Sequence, residues 1–456
     1  MKGKNFILAL LCALLSLSCS DFLNQYPSNK VADDKAFATE DDFDQAVRGC
    51  YARLTTQLSW YVNELAFRSD EALLEDMTTS TQERYANDHF QELSTAGMFQ
   101  DIWSAWYSGI DRCNDLLDHI ASTSLTLPES YAGEGRFLRA WFYFNLYRTF
   151  GVVPIVKTVV SPKEAQTVPR CTSAEMLEFL KEDLTYAAEH LPETRSSEAA
   201  RVTGMAAKAL LAKVYLTFGE YSAAEQVLSP IQTDSYYGLM PTTSDAFDYT
   251  QKLNKEMIFF VYFNNANDSG HGAWWTVSSL KDIKNPDPEF LTIYDGNDNR
   301  KALISTYHTV SSTNHLMTKW YTPFDAVYTT QVSSDFPHIR YADVVLMMAE
   351  ALGRQGKIAQ ALPYLNKTRV RAGLAEYTAS DISTEDQFIA ALADERGKEF
   401  ALEGQRWYDL VRLGLAVDHF KDLGYTIDNH NLLFPIPWEE IHIVDNSDIL
   451  WQNPGF

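Results

Sequence analysis

Two well-separated segments of the chain repeat one pattern of small residues among apolar ones. Each has an alanine, a glycine seven residues later and a second alanine five residues after that, namely Ala212, Gly219 and Ala224, and Ala349, Gly356 and Ala361. Large apolar residues recur between them at helical spacing. Small residues let two helices cross closely, and a glycine permits a tight turn between them. The pattern therefore predicts two helical hairpins.

The spacing is similar to that of the tetratricopeptide helix-turn-helix, which stacks hairpins side by side. Weaker helical stretches around residues 43–54, 102–120 and 173–190 bring the expected number of hairpins to about four. Residues 136–150 are apolar nearly all round and predict a helix buried on most sides. Capping boxes predict three helix starts, at Thr39, Thr172 and Thr384. The fold class expected is mainly α.

A loop-rich insertion, at about residues 232–337, separates the two hairpins. Short β-type runs occur in it at residues 257–263 and 302–308, between stretches rich in Asn, Asp, Gly and Pro. We expect one domain over residues 19–456, with an N-terminal part at 19–231 and C-terminal helices and a tail at 338–456. The last residues, 432–456, read as an ordered extended tail. Loops on a rigid scaffold tend to carry function, so the insertion is the expected location of a site.

The N-terminus has the features of a secretory signal. Lys2 and Lys4 precede a short uncharged apolar run, and Cys19 follows small residues. We expect residues 1–18 to be removed and Cys19 to be acylated, because the polar Ser20 and Asp21 suit the start of a lipid-anchored chain. The alternative is a plain signal peptide with an incidental cysteine.

The charge and the motifs exclude several classes of protein. Acidic residues outnumber basic ones by 61 to 38, so binding to nucleic acid or to an anionic membrane surface is disfavoured. Cys50, Cys113 and Cys171 form neither a disulfide framework nor a zinc motif. No nucleophile, metal or cofactor motif is present, and His308 and His315 read as solvated. Carboxylate pairs for glycoside hydrolysis remain possible, since their separation is a three-dimensional property.

Three aromatic pairs are candidates for ligand contact, since an exposed aromatic ring can stack on the C–H face of a sugar while polar side chains bond its hydroxyls. Trp274 and Trp275 are the leading candidates because Gly and Asn surround them. The other candidates are Trp60 and Tyr61 with the nearby Asp70, and Trp320 with Tyr321.

Motifs along nearly the whole chain resemble those of the SusD/RagB family of outer-membrane nutrient-binding lipoproteins. The N-terminal matches are Ser69-Asp70, Trp103, Tyr107, Ile110, Asn114, Arg139-Ala140, Tyr143, Gly151 and Pro154. The C-terminal matches are Arg340-Tyr341-Ala342-Asp343, Ala349-Glu350-Ala351, Glu395-Arg396, Glu399, Glu403-Gly404, Arg406-Trp407, Asp409-Leu410, Arg412, Pro435-Ile436-Pro437, Glu440 and Asn453-Pro454-Gly455-Phe456. Arg396, Glu399, Glu403 and Arg406 recur at helical spacing and read as scaffold charges that pair along one helix face.

The resemblance implies tetratricopeptide-like hairpins on one side of the molecule and a variable, loop-rich side that binds a glycan. It further implies a lipid anchor in the outer membrane of a Gram-negative bacterium, facing the exterior. The expected partner is a TonB-dependent, SusC-like transporter, on which the protein would sit as a lid, without enzymatic activity. Two alternatives remain open: a helical secreted glycoside hydrolase, and a tetratricopeptide adaptor that binds only proteins.

Overall fold

Long helices make up most of the fold. The computed structural model describes residues 37–60, 64–195, 200–263, 276–278, 283–309, 314–321 and 334–456. The helices of the N-terminal half are α1 (Glu40–Ser59), α2 (Leu65–Arg68), α3 (Gln82–Asp88), α4 (Gly97–Ser122), α5 (Glu129–Phe150), α6 (Pro162–Ala165), α7 (Ser173–His190), α8 (Gly204–Thr217) and α9 (Tyr221–Thr233). Those of the C-terminal half are α10 (Lys301–Ser305), α11 (Tyr341–Gly353), α12 (Ile358–Arg371), α13 (Glu385–Glu399), α14 (Arg406–Leu413), α15 (Ala416–Asp422) and α16 (Trp438–Val444).

The two predicted hairpins are confirmed as α8–α9 and α11–α12. Gly219 and Gly356 close their turns with φ angles of 79° and 73°, a left-handed conformation that favours glycine. Both turns repeat one hydrogen bond: the N–H after the glycine donates to a carbonyl five residues earlier, at 2.8 Å in the first hairpin and 3.0 Å in the second. The repeated sequence pattern therefore encodes a repeated backbone geometry.

We expect Ala212→Leu to lower the free energy of unfolding by about 1–3 kcal/mol, because extra methylene groups overpack a filled crossing. The Ala212 side chain is fully buried in α8, which packs against both α7 and α9. Urea denaturation measures the change, and Ala359→Leu, at an exposed position of α12, is the control. Equal stability of Ala212→Leu and the parent protein would contradict a close crossing at this residue.

Most of the long helices pack against the long helix that follows them in the chain. In the N-terminal half α1 packs on α4, α4 on α5, α5 on α7, and α7 on α8. Helix α9 packs on α11 of the C-terminal half, and α11 packs on α12 and α13. Helix α5 is the buried helix expected at 136–150, and most of its side chains are buried, Trp141 and Phe144 among them. Capping boxes begin α1, α7 and α13 at the three predicted threonines.

Short strands lie in and next to the insertion. They are β1 (Leu73–Leu74), β2 (Met257–Val261), β3 (Thr276–Ser278), β4 (Ile283–Lys284), β5 (Tyr307–Thr309), β6 (Asn314–Met317) and β7 (Phe336–Arg340). Strand β2 pairs antiparallel with β7, so that Val261 faces Phe336 at one end and Met257 faces Arg340 at the other. Strands β3, β6 and β5 form a small antiparallel sheet in that order, and β1 pairs with β4. The β2–β7 pair packs against Trp141 of α5 through Phe259, with ring centroids 5.0 Å apart.

Two local predictions were wrong. Residues 302–308 do not form a strand: most of them lie in α10, and β5 begins at Tyr307. A short apolar run fits either a strand or a buried helical turn, and Leu303 and Ile304 are buried on this turn. The C-terminal tail is ordered but not wholly extended, since α16 interrupts it. In the part of the chain that the structure describes, every helix is too short or too polar to cross a bilayer.

Candidate functional site

Residues from three parts of the chain contact one another at one end of the β2–β7 pair. The Phe263 N–H donates to Asp335 Oδ1 at 3.0 Å, and the Ser334 hydroxyl donates to the Trp320 carbonyl at 3.0 Å. Phe263, Tyr321 and Ser334 therefore lie close to one another. We call the surface around Phe263, Tyr321 and Asp335 the loop face.

Tyr262 is an exposed aromatic side chain on the loop face. It is 45% exposed and follows β2 directly. The Lys252 ammonium lies 4.9 Å from the centroid of its ring, a cation–π distance. Lys252 also forms an ion pair with Asp335 at 3.2 Å and donates a short hydrogen bond to the Phe263 carbonyl. This set of contacts holds the phenol ring in place.

A second aromatic surface is the stack of His308 on Tyr321. The two rings are nearly parallel, with 9° between their planes and 3.8 Å between their centroids. Both residues are half-buried, and the Thr318 hydroxyl lies 3.3 Å from Nε2 of His308. The expectation that His308 is simply solvated was therefore wrong. His315 pairs with Thr309 in the same small sheet.

A cleft of about 350 Å³ extends from Tyr262 along α1. Arg48, Tyr51, Thr55 and Arg201 line it together with Tyr262. Neighbouring carboxylates neutralise its two guanidinium groups: Asp44 pairs with both, and Glu134 pairs with Arg201 at 3.1 Å. The cleft thus combines an aromatic ring with hydroxyl and guanidinium donors, a lining suited to a ligand rich in hydroxyl groups.

The carboxyl group of Asp335 titrates close to neutral pH. Burial raises the pKa of Asp335 to about 6, although the ammonium group of Lys252 acts in the opposite direction. Its Oδ1 accepts hydrogen bonds from the Phe263 N–H and from Lys252. This carboxyl group joins β7 to the end of β2 and so fixes the base of the loop face.

Four of the predicted site residues, Cys19, Tyr61, Trp274 and Trp275, lie outside the described residues. In sequence, Trp274 and Trp275 lie between the described residues Phe263 and Thr276. Thr276 in turn pairs with Leu316, in the sheet that carries His308. Tyr321 is thus the candidate that the structure places at the loop face with a half-buried ring.

Two of the candidate tryptophans are core residues, which corrects the expectation of exposed rings. Trp60 is 3% exposed and makes edge-to-face contacts with Trp106 and Phe434. Trp320 is fully buried, stacked on Phe336 with centroids 5.6 Å apart. Both were proposed because polar residues surround them in sequence, but each packs against residues distant in sequence. A ligand on the described surface does not reach either indole.

Asp70 also belongs to the scaffold rather than to a ligand site. Its two carboxylate oxygens accept hydrogen bonds from Nε and Nη2 of Arg406, both at 2.8 Å. Nε2 of His419 lies 2.8 Å from Oδ2. Burial alone would raise the pKa of Asp70, but Arg406 and His419 hold it well below its usual range. This carboxylate is already saturated with partners.

The charged residues of the C-terminal motifs form buried ion pairs, as their scaffold role predicts. They do not pair along one helix face, however, because α13 ends at Glu399 and the chain turns through Leu402 and Gly404, which have positive φ. Arg340 binds Glu256, Glu399 and Glu403, with its closest N–O distance to each between 2.6 and 2.9 Å. These side chains are at most 1% exposed.

Sequence reasoning missed Tyr262 and the stacking role of His308. Tyr262 is the second-last residue of an apolar run, 257–263. Every residue of β2 in this run is buried, so alternation gave no sign that the residue after the strand is exposed. The aromatic character of this run was the available signal. Across the described ranges, no group of three or more His, Cys, Asp or Glu side chains could hold a metal ion.

The family models and curated proteins that match this chain are all SusD-like or starch-binding proteins. A family model described as "SusD family" matches residues 291–456. A second model, described as "Starch-binding associating with outer membrane", matches residues 21–216. Among curated proteins, SusD-like protein P2 of Formosa agariphila is 28% identical, in an alignment that covers 99% of this chain and 100% of the relative. A SusD-like protein of Bacteroides ovatus is 23% identical over 90% of this chain and 82% of its own length.

Solved structures show the same similarity in three dimensions. A SusD superfamily protein from Bacteroides vulgatus has a TM-score of 0.76 and 25% sequence identity, and covers 92% of this chain and 100% of its own. A laminarin-binding SusD-like protein has a TM-score of 0.75 and 25% identity, over 91% of this chain and 99% of its own. The similarity therefore includes both the hairpins and the insertion.

Proposed function

We propose that this chain, which is similar to SusD-like proteins over nearly its whole length, captures an oligosaccharide at its loop face and delivers it to a TonB-dependent, SusC-like transporter at the outer membrane. The observation that carries the proposal is the arrangement of aromatic side chains there. Tyr262 and the His308–Tyr321 stack both lie at the loop face, and Trp274 and Trp275 follow Phe263 of this face in sequence.

The chemistry of a sugar fits this surface. Aromatic rings held flat by a cation or by another ring offer one open face, on which the C–H groups of a pyranose can stack. Hydroxyl and guanidinium donors of the neighbouring cleft, from Thr55 and Arg48, can bond the sugar hydroxyls. Because Asp44 and Glu134 together neutralise the two cleft arginines, a neutral glycan suits the surface better than an acidic one.

Proteins of this family bind carbohydrate without catalysing a reaction, and the chain is not an enzyme. A glycoside hydrolase needs two carboxyl groups about 5–10 Å apart across the scissile bond. Among the described residues that line the cleft at Tyr262, none is a carboxylate. No observation favours the third candidate, an adaptor that binds only proteins.

A screen for retention of the protein in native gels that contain neutral polysaccharides tests the proposal. Laminarin and soluble starch are the first probes, since a structural neighbour binds laminarin and the N-terminal family model is described as starch-binding. We expect slower migration in at least one gel and no release of reducing sugar from the same polysaccharide. Unchanged migration across a broad panel would contradict glycan binding, and released sugar would favour a hydrolase.

Anchoring through Cys19 is part of the proposal. An acyl-modified N-terminus would hold the domain at the outer membrane, on the exterior side, with no spanning segment. We expect Cys19→Ala to move the folded protein from the membrane fraction to the soluble fraction. Membrane fractionation followed by mass spectrometry of the N-terminal peptide measures this.

The control for this experiment is Cys171→Ala, which removes a half-buried free thiol and should leave the protein in the membrane fraction. Membrane-bound protein with an unmodified Cys19 would contradict the anchor.

A further inference from the structure

Two tryptophans near the C-terminus differ from all other tryptophans that the structure describes. Six of the described tryptophans are at most 5% exposed, namely Trp60, Trp103, Trp106, Trp141, Trp320 and Trp407. Trp438 and Trp451, in contrast, are 47% and 40% exposed. Leaving two indoles in water is unfavourable, and exposed aromatic patches of this kind mark binding surfaces.

Trp438 is held rigidly at the start of α16. Its backbone N–H donates to the Ser94 carbonyl at 3.0 Å, and its ring stacks on His442, one turn later, with 9° between the planes. The helix is fixed to α4 by a 2.8 Å hydrogen bond from Gln100 to Glu440. One face of the indole is therefore supported, and the side chain keeps a large exposed area.

Trp451 is supported in the same way by a cation. The Arg170 guanidinium lies 4.7 Å from the ring centroid and donates to the Trp451 carbonyl at 2.6 Å. Arg170 is itself buried, and it donates further hydrogen bonds to the Val152 carbonyl and to Oδ1 of Asn453. Because these partners are fixed by the fold, ordering Trp451 on binding costs little entropy.

The segments that carry the two tryptophans are joined by hydrogen bonds. The Gln452 side chain bonds the backbone of Ile436 twice, accepting from its N–H at 2.7 Å and donating to its carbonyl at 2.8 Å. Trp451 precedes Gln452, and Trp438 follows Ile436 by two residues, so the segments that carry the indoles run next to each other. We call the surface around these two segments the C-terminal aromatic surface.

The C-terminal aromatic surface is separate from the loop face. Helix α5 contacts the β2–β7 pair through Trp141, and its last residue, Phe150, accepts hydrogen bonds from Arg170 and Asn453. Nine residues of helix separate these two contacts, a rise of roughly 13 Å. A single sugar unit stacked at the loop face therefore cannot also contact these indoles, which would need separate units of the same glycan.

We propose that the C-terminal aromatic surface is a second carbohydrate-binding site, for distant units of the same neutral polysaccharide that the loop face binds. This inference rests on the proposed function. Flat rings with one supported face suit sugar stacking, whereas the net charge of −23 opposes polyanionic glycans and anionic lipid surfaces. A polymer that contacts both sites gains avidity, while a short oligosaccharide occupies the loop face alone.

The test compares a polymer with a hexasaccharide, using the double variant Trp438→Ala/Trp451→Ala of the full-length protein. The probes are laminarin in native gels and laminarihexaose in calorimetry, or soluble starch and maltohexaose if the screen selects starch. We expect hexasaccharide affinity within twofold of the parent protein and roughly tenfold weaker retention by the polymer. The conservative variant Trp438→Tyr keeps a ring and should keep most of the retention.

Other results would overturn the inference. Unchanged polymer retention by a folded double variant would exclude a second carbohydrate site, and loss of an outer-membrane partner in that variant would assign the surface to a protein. Equal loss of hexasaccharide and polymer binding would mean a single site. If the double variant unfolds, Trp438→Ala alone, at the more exposed position, replaces it. A parent protein that binds no glycan refutes the proposed function instead, before the variants are compared.

Discussion

Replacing Arg340 by methionine is expected to lower the free energy of unfolding by about 3–5 kcal/mol, because it removes one cation from a cluster of buried carboxylates and leaves their negative charge only partly compensated. Arg340 is fully buried and donates to Glu256, Glu399 and Glu403, all of them buried as well. Arg371, Lys319 and Arg300 also contact these carboxylates, but Arg300 is shared with two further acidic residues, Asp298 and Glu395. The remaining cations therefore compensate only part of the negative charge. Urea denaturation measures the change, since urea does not screen charges as guanidinium salts do.

The matched control is Arg48→Met, which removes a guanidinium group from an exposed pair with Asp44. The Arg48 side chain is 72% exposed, so we expect a change of at most about 1 kcal/mol. A similarly small change for Arg340→Met would show that the buried charges contribute little to stability. The scaffold role of the motif residues would then be wrong.

Alanine at Trp274 or Trp275 should weaken glycan binding by about 2 kcal/mol, or roughly thirtyfold in Kd, with little effect on the melting temperature. In sequence, the two tryptophans lie among Gly and Asn residues, between Phe263 of the loop face and Thr276. Tyr321→Ala, which removes one ring of the stack with His308, should weaken binding in the same direction. Isothermal titration calorimetry with the selected oligosaccharide measures each variant.

The control for these variants is Tyr236→Ala, at an exposed tyrosine next to Arg195 and the far end of β2. Its affinity should equal that of the parent protein. If both tryptophan variants bind normally, the site lies elsewhere on the molecule. If they instead melt at a lower temperature, the indoles are core residues, as Trp60 and Trp320 are.

The helical scaffold could be predicted because its signals are local. Gly219 and Gly356 each lie in a short pattern that specifies a turn, and Thr172 with Glu175 specifies a helix start within four residues. Such signals act between neighbours in sequence and do not depend on the rest of the fold. Most of the family motif residues are likewise buried in the scaffold, Arg340, Glu399 and Trp407 among them.

The candidate site was harder to predict because it depends on distant contacts. Asp70 has a plausible binding chemistry, but its partner Arg406 lies 336 residues away. Trp60 has a polar sequence neighbourhood, yet its indole N–H donates to Tyr408, 348 residues away. The stacking of His308 on Tyr321 likewise requires the register of β5 and β6. No periodicity in the sequence specifies these contacts.

Backbone hydrogen exchange with and without the selected glycan tests most directly that the loop face is the binding site. We expect slower exchange on glycan binding in residues 262–278 and 306–321, and unchanged exchange in the hairpins at 204–233 and 341–371. Protection confined to the hairpins, or no protection at the loop face under saturating glycan, would contradict the proposed site.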